Sequence, residues 1–201
     1  CLFKSLNCIS ISLVKFSNGQ SRRFEVVLNE TGLDHPRSIQ QTSDSGFIAC
    51  GSSNSYNIRG DMDPYLVKFN SAGNVEWVKD FGSAAIDNMK SVLILSDGGF
   101  LLSGYTNENN GIYSPYVIRT DLSGSVLWDT IYSGNDWEFI NNSVLLQNGN
   151  IIVAGSTYRV GSGGPDAFAM IIDSLGNIIW KKIFSGIMKD EINSVNECVN
   201  G

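Results

Sequence analysis

Acidic residues recur at one place in this chain, and pairs of carboxylates are the groups that hydrolyse glycosidic bonds. They follow successive tryptophan-containing segments, as Asp87, Asp136, Glu138, Asp190 and Glu191. Catalytic residues are usually unique, whereas carboxylates that cap backbone N–H groups in turns recur with the structural unit they stabilise. The recurrence therefore favours a structural role, and a glycoside hydrolase is kept as the alternative function.

The other reactive residue types form no complete catalytic or metal-binding set. His35 is the only histidine, and no Gly-x-Ser-x-Gly elbow accompanies it, so we expect a solvated loop histidine. Asp61-Met62-Asp63 could present oxygens to calcium but lacks further ligands. The glycine-rich stretch 161–164 is not followed by the lysine or helix start of a phosphate-binding loop. We predict no catalytic residue, no bound metal and no cofactor.

The four cysteines, Cys1, Cys8, Cys50 and Cys198, show no Cys-x-x-Cys spacing, which argues against zinc binding and thioredoxin-like chemistry. Free buried thiols and one disulfide in an oxidising compartment both remain open. Cys50 lies in an apolar run that ends in glycine, and we expect it in the core.

Composition excludes several classes of partner. The chain of 201 residues carries a net charge of −6, so a polyanion is repelled and nucleic acid is not an expected partner. No run of about 18 apolar residues is present, so no transmembrane helix is predicted. A hydrophobic content of 42% is enough for a sizeable core.

The chain contains a repeated segment, and the elements built from it must position any functional site. Gly73, Gly124 and Gly176 lie in polar turns spaced 51 and 52 residues apart, and a tryptophan follows each of them by four residues. The three tryptophans are Trp77, Trp128 and Trp180. Periods of roughly 40 to 50 residues are typical of β-propeller blades.

Each period also contains a second hairpin, centred on Asp44-Ser45-Gly46, Asp97-Gly98-Gly99 or Asn148-Gly149-Asn150. These residues tolerate positive φ, and we expect two-residue hairpin turns that turn chemistry alone explains. The strand after each turn ends in a small residue and glycine, for which we expect close packing between neighbouring sheets. Longer polar loops are expected at 52–63, 105–114 and 156–166.

The period therefore predicts an all-β fold, a β-propeller of about four blades, each a four-stranded antiparallel sheet. The four blades make either a closed ring or part of a larger one. Residues 1–8 match no repeat and are an irregular leader or a ring-closing strand, while residues 9–201 are repeats. The last repeat is incomplete, and its first strand is expected over Ile192 to Val199. The aromatic pairs formed by each tryptophan and Phe81, Tyr132 or Phe184 are expected to fill the space between blades.

The run from Asp63 to Phe69, with Gly73, Trp77, residues 97–100 and Gly104, resembles the tandem repeats of bacterial secreted and surface proteins. These are related to the seven-bladed β-propeller repeat family, and the resemblance extends from about Ile9 to Gly201. It implies an extracellular, cell-surface or periplasmic protein, attached to further repeats or a sorting domain, with no shared catalytic residues.

Aromatic residues in or near the variable loops are the candidate ligand contacts, because a rigid ring presents its loops at fixed geometry. They are Tyr56, Tyr105, Tyr113, Trp137 and Tyr158. Such side chains stack on sugar rings or anchor a protein partner. The sequence thus predicts a non-catalytic binding or scaffold module whose ligand is a glycan or a protein.

Overall fold

The computed structural model of the chain describes residues 9–17, 20–28, 32–55, 61–109, 111–158 and 164–198. The described residues form four antiparallel sheets and contain no helix. The first is the hairpin of β1 (Ile9–Ser17) and β2 (Gln20–Leu28). The second sheet contains β3 (Asp34–Gln41), β4 (Phe47–Ser53), β5 (Asp63–Phe69) and β6 (Val75–Asp80). The third contains β7 (Asp87–Ile94), β8 (Phe100–Asn109), β9 (Ile112–Thr120) and β10 (Val126–Ile131). The fourth contains β11 (Trp137–Leu145), β12 (Ile151–Tyr158), β13 (Asp166–Ile172) and β14 (Ile178–Phe184).

In each of the three larger sheets, the strands lie side by side in chain order. The expected all-β fold with four-stranded antiparallel sheets is therefore confirmed. Each sheet corresponds to one sequence period and contains the four strands predicted for it. The predicted leader at residues 1–8 lies outside the described residues.

The hairpin turns differ from the predicted two-residue type. In the turn after β3, the Ser45 N–H donates to the Thr42 carbonyl and the Thr42 N–H donates to the Gly46 carbonyl, each at 3.0 Å. Only Ser45 has positive φ, at 67°. This is a three-residue loop, a type I turn followed by one left-handed residue. The same bonds recur in five further hairpins of the three larger sheets.

The turn aspartates also form ion pairs with cations on the third strand of the same sheet. Lys68 on β5 donates to Asp44 at 2.7 Å and to Glu76 at 3.0 Å, and Arg119 on β9 pairs with Asp97. Burial alone would lower the pKa of Lys68, but the bonds to Asp44 and Glu76 raise it. The fourth sheet has an uncharged Asn148 in the equivalent turn. The prediction that turn chemistry alone explains these aspartates is therefore wrong.

The expected packing between sheets holds for the small residues, since Cys50 packs with Met89 and the Ser103 hydroxyl donates to Ser143 at 3.0 Å. The glycines that follow them are explained within each sheet. A Cβ on Gly51, Gly104 or Gly155 would overlap the carbonyl oxygen of the first strand in the same sheet, at His35, Asn88 or Phe139. Each first strand has a β-bulge beside this contact, between Pro36 and Ser38, Met89 and Ser91, or Ile140 and Asn142. The bulge brings the two backbones together, and only glycine leaves room for it.

Neighbouring sheets pack through the predicted aromatic residues. The Trp77 ring lies against Gly124 of the third sheet, and the Trp128 ring lies against Gly176 of the fourth. Tyr132 donates to the Gly176 carbonyl at 2.8 Å. Phe168, with no exposed surface, joins side chains of the third and fourth sheets in one core cluster. Trp180 and Phe184, at the equivalent positions of the fourth sheet, are 40% and 42% exposed.

Cys50 lies in the core, as predicted. It is fully buried in a cluster with Met89 and Val92 of the next sheet, and burial raises the pKa of its thiol. Cys50 and the exposed Cys198 are both free thiols. Cys1 and Cys8 lie outside the described residues.

Three local expectations are wrong. Residues 105–114 are not a long loop, because β8 and β9 extend through them and leave only residues 110–111 between the strands. His35 is exposed on β3 and not in a loop. No strand forms over residues 192–198. This segment instead lies beside the fourth sheet, where the Ile192 N–H donates to the Gly155 carbonyl at 3.3 Å.

Candidate functional site

Four of the five predicted ligand-contact aromatics lie together, around a residue the sequence analysis did not select. That residue is Phe139, whose ring centroid lies 4.8 Å from Tyr105, 5.2 Å from Tyr113 and 5.6 Å from Tyr158. Tyr113 also contacts Trp137 edge to face, at 5.4 Å. We call Tyr105, Tyr113, Trp137, Phe139 and Tyr158 the aromatic cluster. Tyr56 lies outside the described residues.

Two sheets build the aromatic cluster. Tyr105 and Tyr113 come from the hairpin of β8 and β9, and their rings meet edge to face at 5.6 Å. Trp137 and Phe139 are two residues apart on β11 and therefore lie on the same face of that strand. Tyr158, at the end of β12, is the cross-strand partner of Trp137. The rings consequently meet where the third and fourth sheets adjoin.

The aromatic cluster is partly open to solvent. Trp137 is 48% exposed and Tyr158 is 41% exposed, while the other three rings are half-buried. Edge-to-face packing fixes the ring orientations before any ligand arrives, which lowers the entropy that binding must overcome. Exposed aromatic rings held in this way are typical of recognition surfaces.

A cavity of about 220 Å³ opens beside the aromatic cluster. Its aromatic wall is formed by Tyr105, Phe139 and Tyr158. Its polar wall is formed by Lys90, Asn141, Ser156, Glu191 and Asn193. This volume is below the roughly 300 Å³ at the lower end for drug-sized ligands, so the cavity suits a group of about one ring.

The β-bulges direct polar side chains toward this cavity. Lys90 and Asn141 are the extra residues of the bulges in β7 and β11, and Arg37 has the same place in β3. A bulge re-aims the side chain of its extra residue. The segment after β14 adds Glu191 and Asn193, and it is held where the Asn141 side-chain amide donates to the Ile192 carbonyl at 3.1 Å.

The cation that lines the cavity is Lys90. The Lys90 ammonium lies 5.4 Å from the centre of the Tyr105 ring. Burial, and then the positive charge of Arg37, lower the pKa of Lys90. Burial raises the pKa of Tyr105, so its hydroxyl stays neutral and can donate a hydrogen bond.

The recurring carboxylates differ in burial and in their partners. Asp87 is buried and accepts from the Ser83 hydroxyl at 2.9 Å, and burial raises its pKa. Glu138 is buried and accepts from the Lys181 ammonium at 2.6 Å. Glu191 pairs with Lys189 at 2.9 Å. Asp136 shares a separate surface cavity of about 520 Å³ with Glu138 and Lys181.

Among the described residues, no group of three or more histidine, cysteine, aspartate or glutamate side chains is arranged to hold a metal ion. In the same part of the chain there is no helix with the length and apolar character needed to cross a membrane.

Sequence reasoning missed Phe139, Lys90 and Asn141. Phe139 could have been found from the alternation Trp137-Glu138-Phe139, which puts both rings on one face of a strand. Lys90 and Asn141 occupy equivalent positions in successive periods, but only the observed register shows that these positions are bulged.

Comparisons with known proteins identify no family. No protein-family model matches the chain, and no curated protein matches its sequence. Among solved structures, the chain is similar to MPT-4, a mannose phosphorylase from Leishmania mexicana in complex with phosphate ion. The identity is 16%, the match covers 90% of this chain and 68% of that chain, and the TM-score is 0.43. Such a likeness assigns no activity to this chain.

Proposed function

We propose that the three larger sheets are successive blades of a β-propeller. They share one strand order, and an aromatic residue of each of the first two contacts the turn glycine of the next. The exposed Trp180 and Phe184 would then contact a further sheet. The hairpin of β1 and β2 has the pairing of the last two strands of such a sheet, which supports about four blades.

We further propose that this propeller is a non-catalytic binding module whose ligand is a glycan and whose contacts come from the aromatic cluster. The observation that carries this proposal is the convergence of Tyr105, Tyr113 and Tyr158 on Phe139, with Trp137 packed against Tyr113. Flat, preoriented rings beside a small polar cavity match the alternating apolar faces and hydroxyl edges of a sugar ring.

The resemblance of the repeats to those of bacterial surface and secreted proteins suggests where the module works. We propose an extracellular, cell-surface or periplasmic location, in which the propeller presents its binding face beside further repeats or a sorting domain. A protein ligand in place of a glycan is the remaining possibility for the aromatic cluster.

Binding to a glycan array, followed by calorimetric titration of the best ligand, tests the proposed function. We expect the Tyr113→Ala/Trp137→Ala double variant to lose affinity by about 30-fold or more, because truncating an aromatic anchor typically costs about 2 kcal/mol or more. Trp180→Ala is the matched control, since it removes a tryptophan of similar exposure outside the aromatic cluster. Equal binding by the double variant and the wild type would contradict the proposal.

Turnover of chromogenic glycosides tests the alternative function, a glycoside hydrolase. A glycoside hydrolase turns over chromogenic glycosides, whereas a binding module leaves them intact. Turnover that is lost in Glu138→Gln or Asp136→Asn would replace the binding proposal with a catalytic one, since both carboxylates line the same cavity.

A further inference from the structure

The cavity beside the aromatic cluster is lined by one cation, Lys90, and the charge of Arg37 acts on Lys90 from outside the lining. Among the described side chains, neither Lys90 nor Arg37 has a carboxylate within ion-pair distance. The carboxylate that does line the cavity, Glu191, is 2.9 Å from Lys189 and is therefore already compensated. The lining of the cavity thus contains one cation, Lys90, without an ion-pair partner among the described side chains, on a protein whose net charge is −6.

The place of Lys90 in the fold is specific. The β-bulge between Met89 and Ser91 takes Lys90 out of the regular strand pairing, and its ammonium lies over the Tyr105 ring. Arg37 holds the same bulge position in the preceding sheet, and its charge acts on both Lys90 and Tyr105. Lys90 is half-buried and Arg37 is exposed, and their like charges repel, so a bound anion would relieve the repulsion as well as pair with Lys90.

We propose that this cavity binds a sugar ring bearing a carboxylate, a uronic acid unit of an acidic glycan, with the carboxylate at Lys90. The inference rests on the proposed function and specifies its ligand class. The sugar ring lies against Tyr105, Phe139 and Tyr158, which form the aromatic wall. The side-chain amides of Asn141 and Asn193 supply donors and acceptors for the hydroxyl groups.

The polar wall explains why a sugar acid fits better than an acidic peptide or a free inorganic anion. An inorganic anion would pair with Lys90 and leave the three rings without a partner. An aspartate or glutamate side chain would offer its carboxylate but no hydroxyl groups for Asn141 and Asn193. A uronic acid ring uses all three components of the cavity at once, within a volume of about 220 Å³.

Calorimetric titration of the complete chain with matched pairs of oligosaccharides tests this assignment. Each pair consists of a uronic acid trimer, for example of galacturonate, glucuronate or mannuronate, and the same trimer with its carboxyl groups reduced to alcohols. The wild type is expected to bind one acid trimer at least about tenfold more tightly than its neutral counterpart, because charge-assisted hydrogen bonds exceed neutral ones. At 0.15 M salt the Debye length is about 8 Å, so distant acidic residues are screened.

Lys90→Met supplies the second part of the test. It is expected to abolish the preference, so that the acid trimer and its neutral counterpart bind with equal affinity. Lys182→Met, which removes an exposed cation near Phe184 on β14, is expected to keep the preference.

Each other outcome overturns the assignment in a distinguishable way. Equal affinities for acid and neutral trimers, unaltered in Lys90→Met, would overturn the acidic ligand and leave the glycan-binding proposal standing. A preference that survives in Lys90→Met would place the anion elsewhere. Absence of binding to every trimer, together with Lys90-dependent binding of an acidic peptide, would overturn both this inference and the glycan-binding function.

Discussion

Gly104→Ala is expected to lower the free energy of unfolding by about 3 kcal/mol or more, although it adds a single methyl group. The new Cβ would overlap the carbonyl oxygen of Asn88 and lie 2.8 Å from the Cα of Met89. Both neighbours are backbone atoms at the β-bulge, so no flexible side chain can move aside. The whole bulge must shift or the pairing of β7 with β8 must break.

Thermal unfolding followed by circular dichroism measures this effect. For a chain of this size, each kcal/mol corresponds to roughly 2–4 °C, so we expect a melting temperature about 6–12 °C lower. Gly134→Ala is the matched control, because its Cβ would meet nothing nearer than 3.8 Å. A Gly104→Ala variant that melts with the control would show that the close contact at the bulge does not exist.

The second large effect is expected from Lys181→Met, which leaves the Glu138 carboxylate buried without its cation. Glu138 is 4% exposed in its side chain, and Lys181 is 29% exposed. The Lys181 ammonium lies 5.5 Å from the centre of the Phe168 ring and reaches across the fourth sheet to Glu138. Removing one partner of a buried pair typically costs about 3–5 kcal/mol, and the partial exposure of Lys181 places this one near about 3 kcal/mol.

A double-mutant cycle separates the uncompensated charge from the lost packing. Glu138→Gln/Lys181→Met removes both charges, so it should recover most of the stability that Lys181→Met loses. Lys182→Met, one residue along β14, should change the stability little. A Lys181→Met variant as stable as the wild type in urea unfolding would contradict the role given to this pair.

The regular part of the fold could be predicted because it is local and repeated. Alternating strands, turn glycines and Trp77, Trp128 and Trp180 recur with one period, so each repeat supports the interpretation of the others. The three four-stranded sheets follow from this pattern. The contacts of Trp77 and Trp128 with the next sheet also follow from this pattern.

The features that were missed depend on register and on tertiary contact. A β-bulge needs knowledge of which residues face each other, and the sequence around Lys90 has no signal for it. The loop predicted at 105–114 reads as polar, yet cross-strand pairs such as Tyr105 with Pro115 extend the hairpin through it. Residues 192–198 have the pattern of a first strand, but they form no strand and lie beside the fourth sheet.

The candidate site also has a part that the sequence predicts and a part that depends on tertiary contact. The aromatic types could be selected from the sequence because they lie near variable segments. Their convergence depends on how the third and fourth sheets adjoin, which no short pattern encodes. Phe139 illustrates this, since it is central to the aromatic cluster only because Tyr105 and Tyr113 reach it from the neighbouring sheet.

Nuclear magnetic resonance of the tryptophan indole N–H groups, during titration with the glycan selected by the array, tests the central claim most directly. The chain has four tryptophans, Trp77, Trp128, Trp137 and Trp180, and only Trp137 belongs to the aromatic cluster. The proposed function predicts that the Trp137 resonance shifts with saturation while the other three stay in place. A saturable shift at Trp180, Trp77 or Trp128 with Trp137 unmoved would contradict it and place the ligand on another surface.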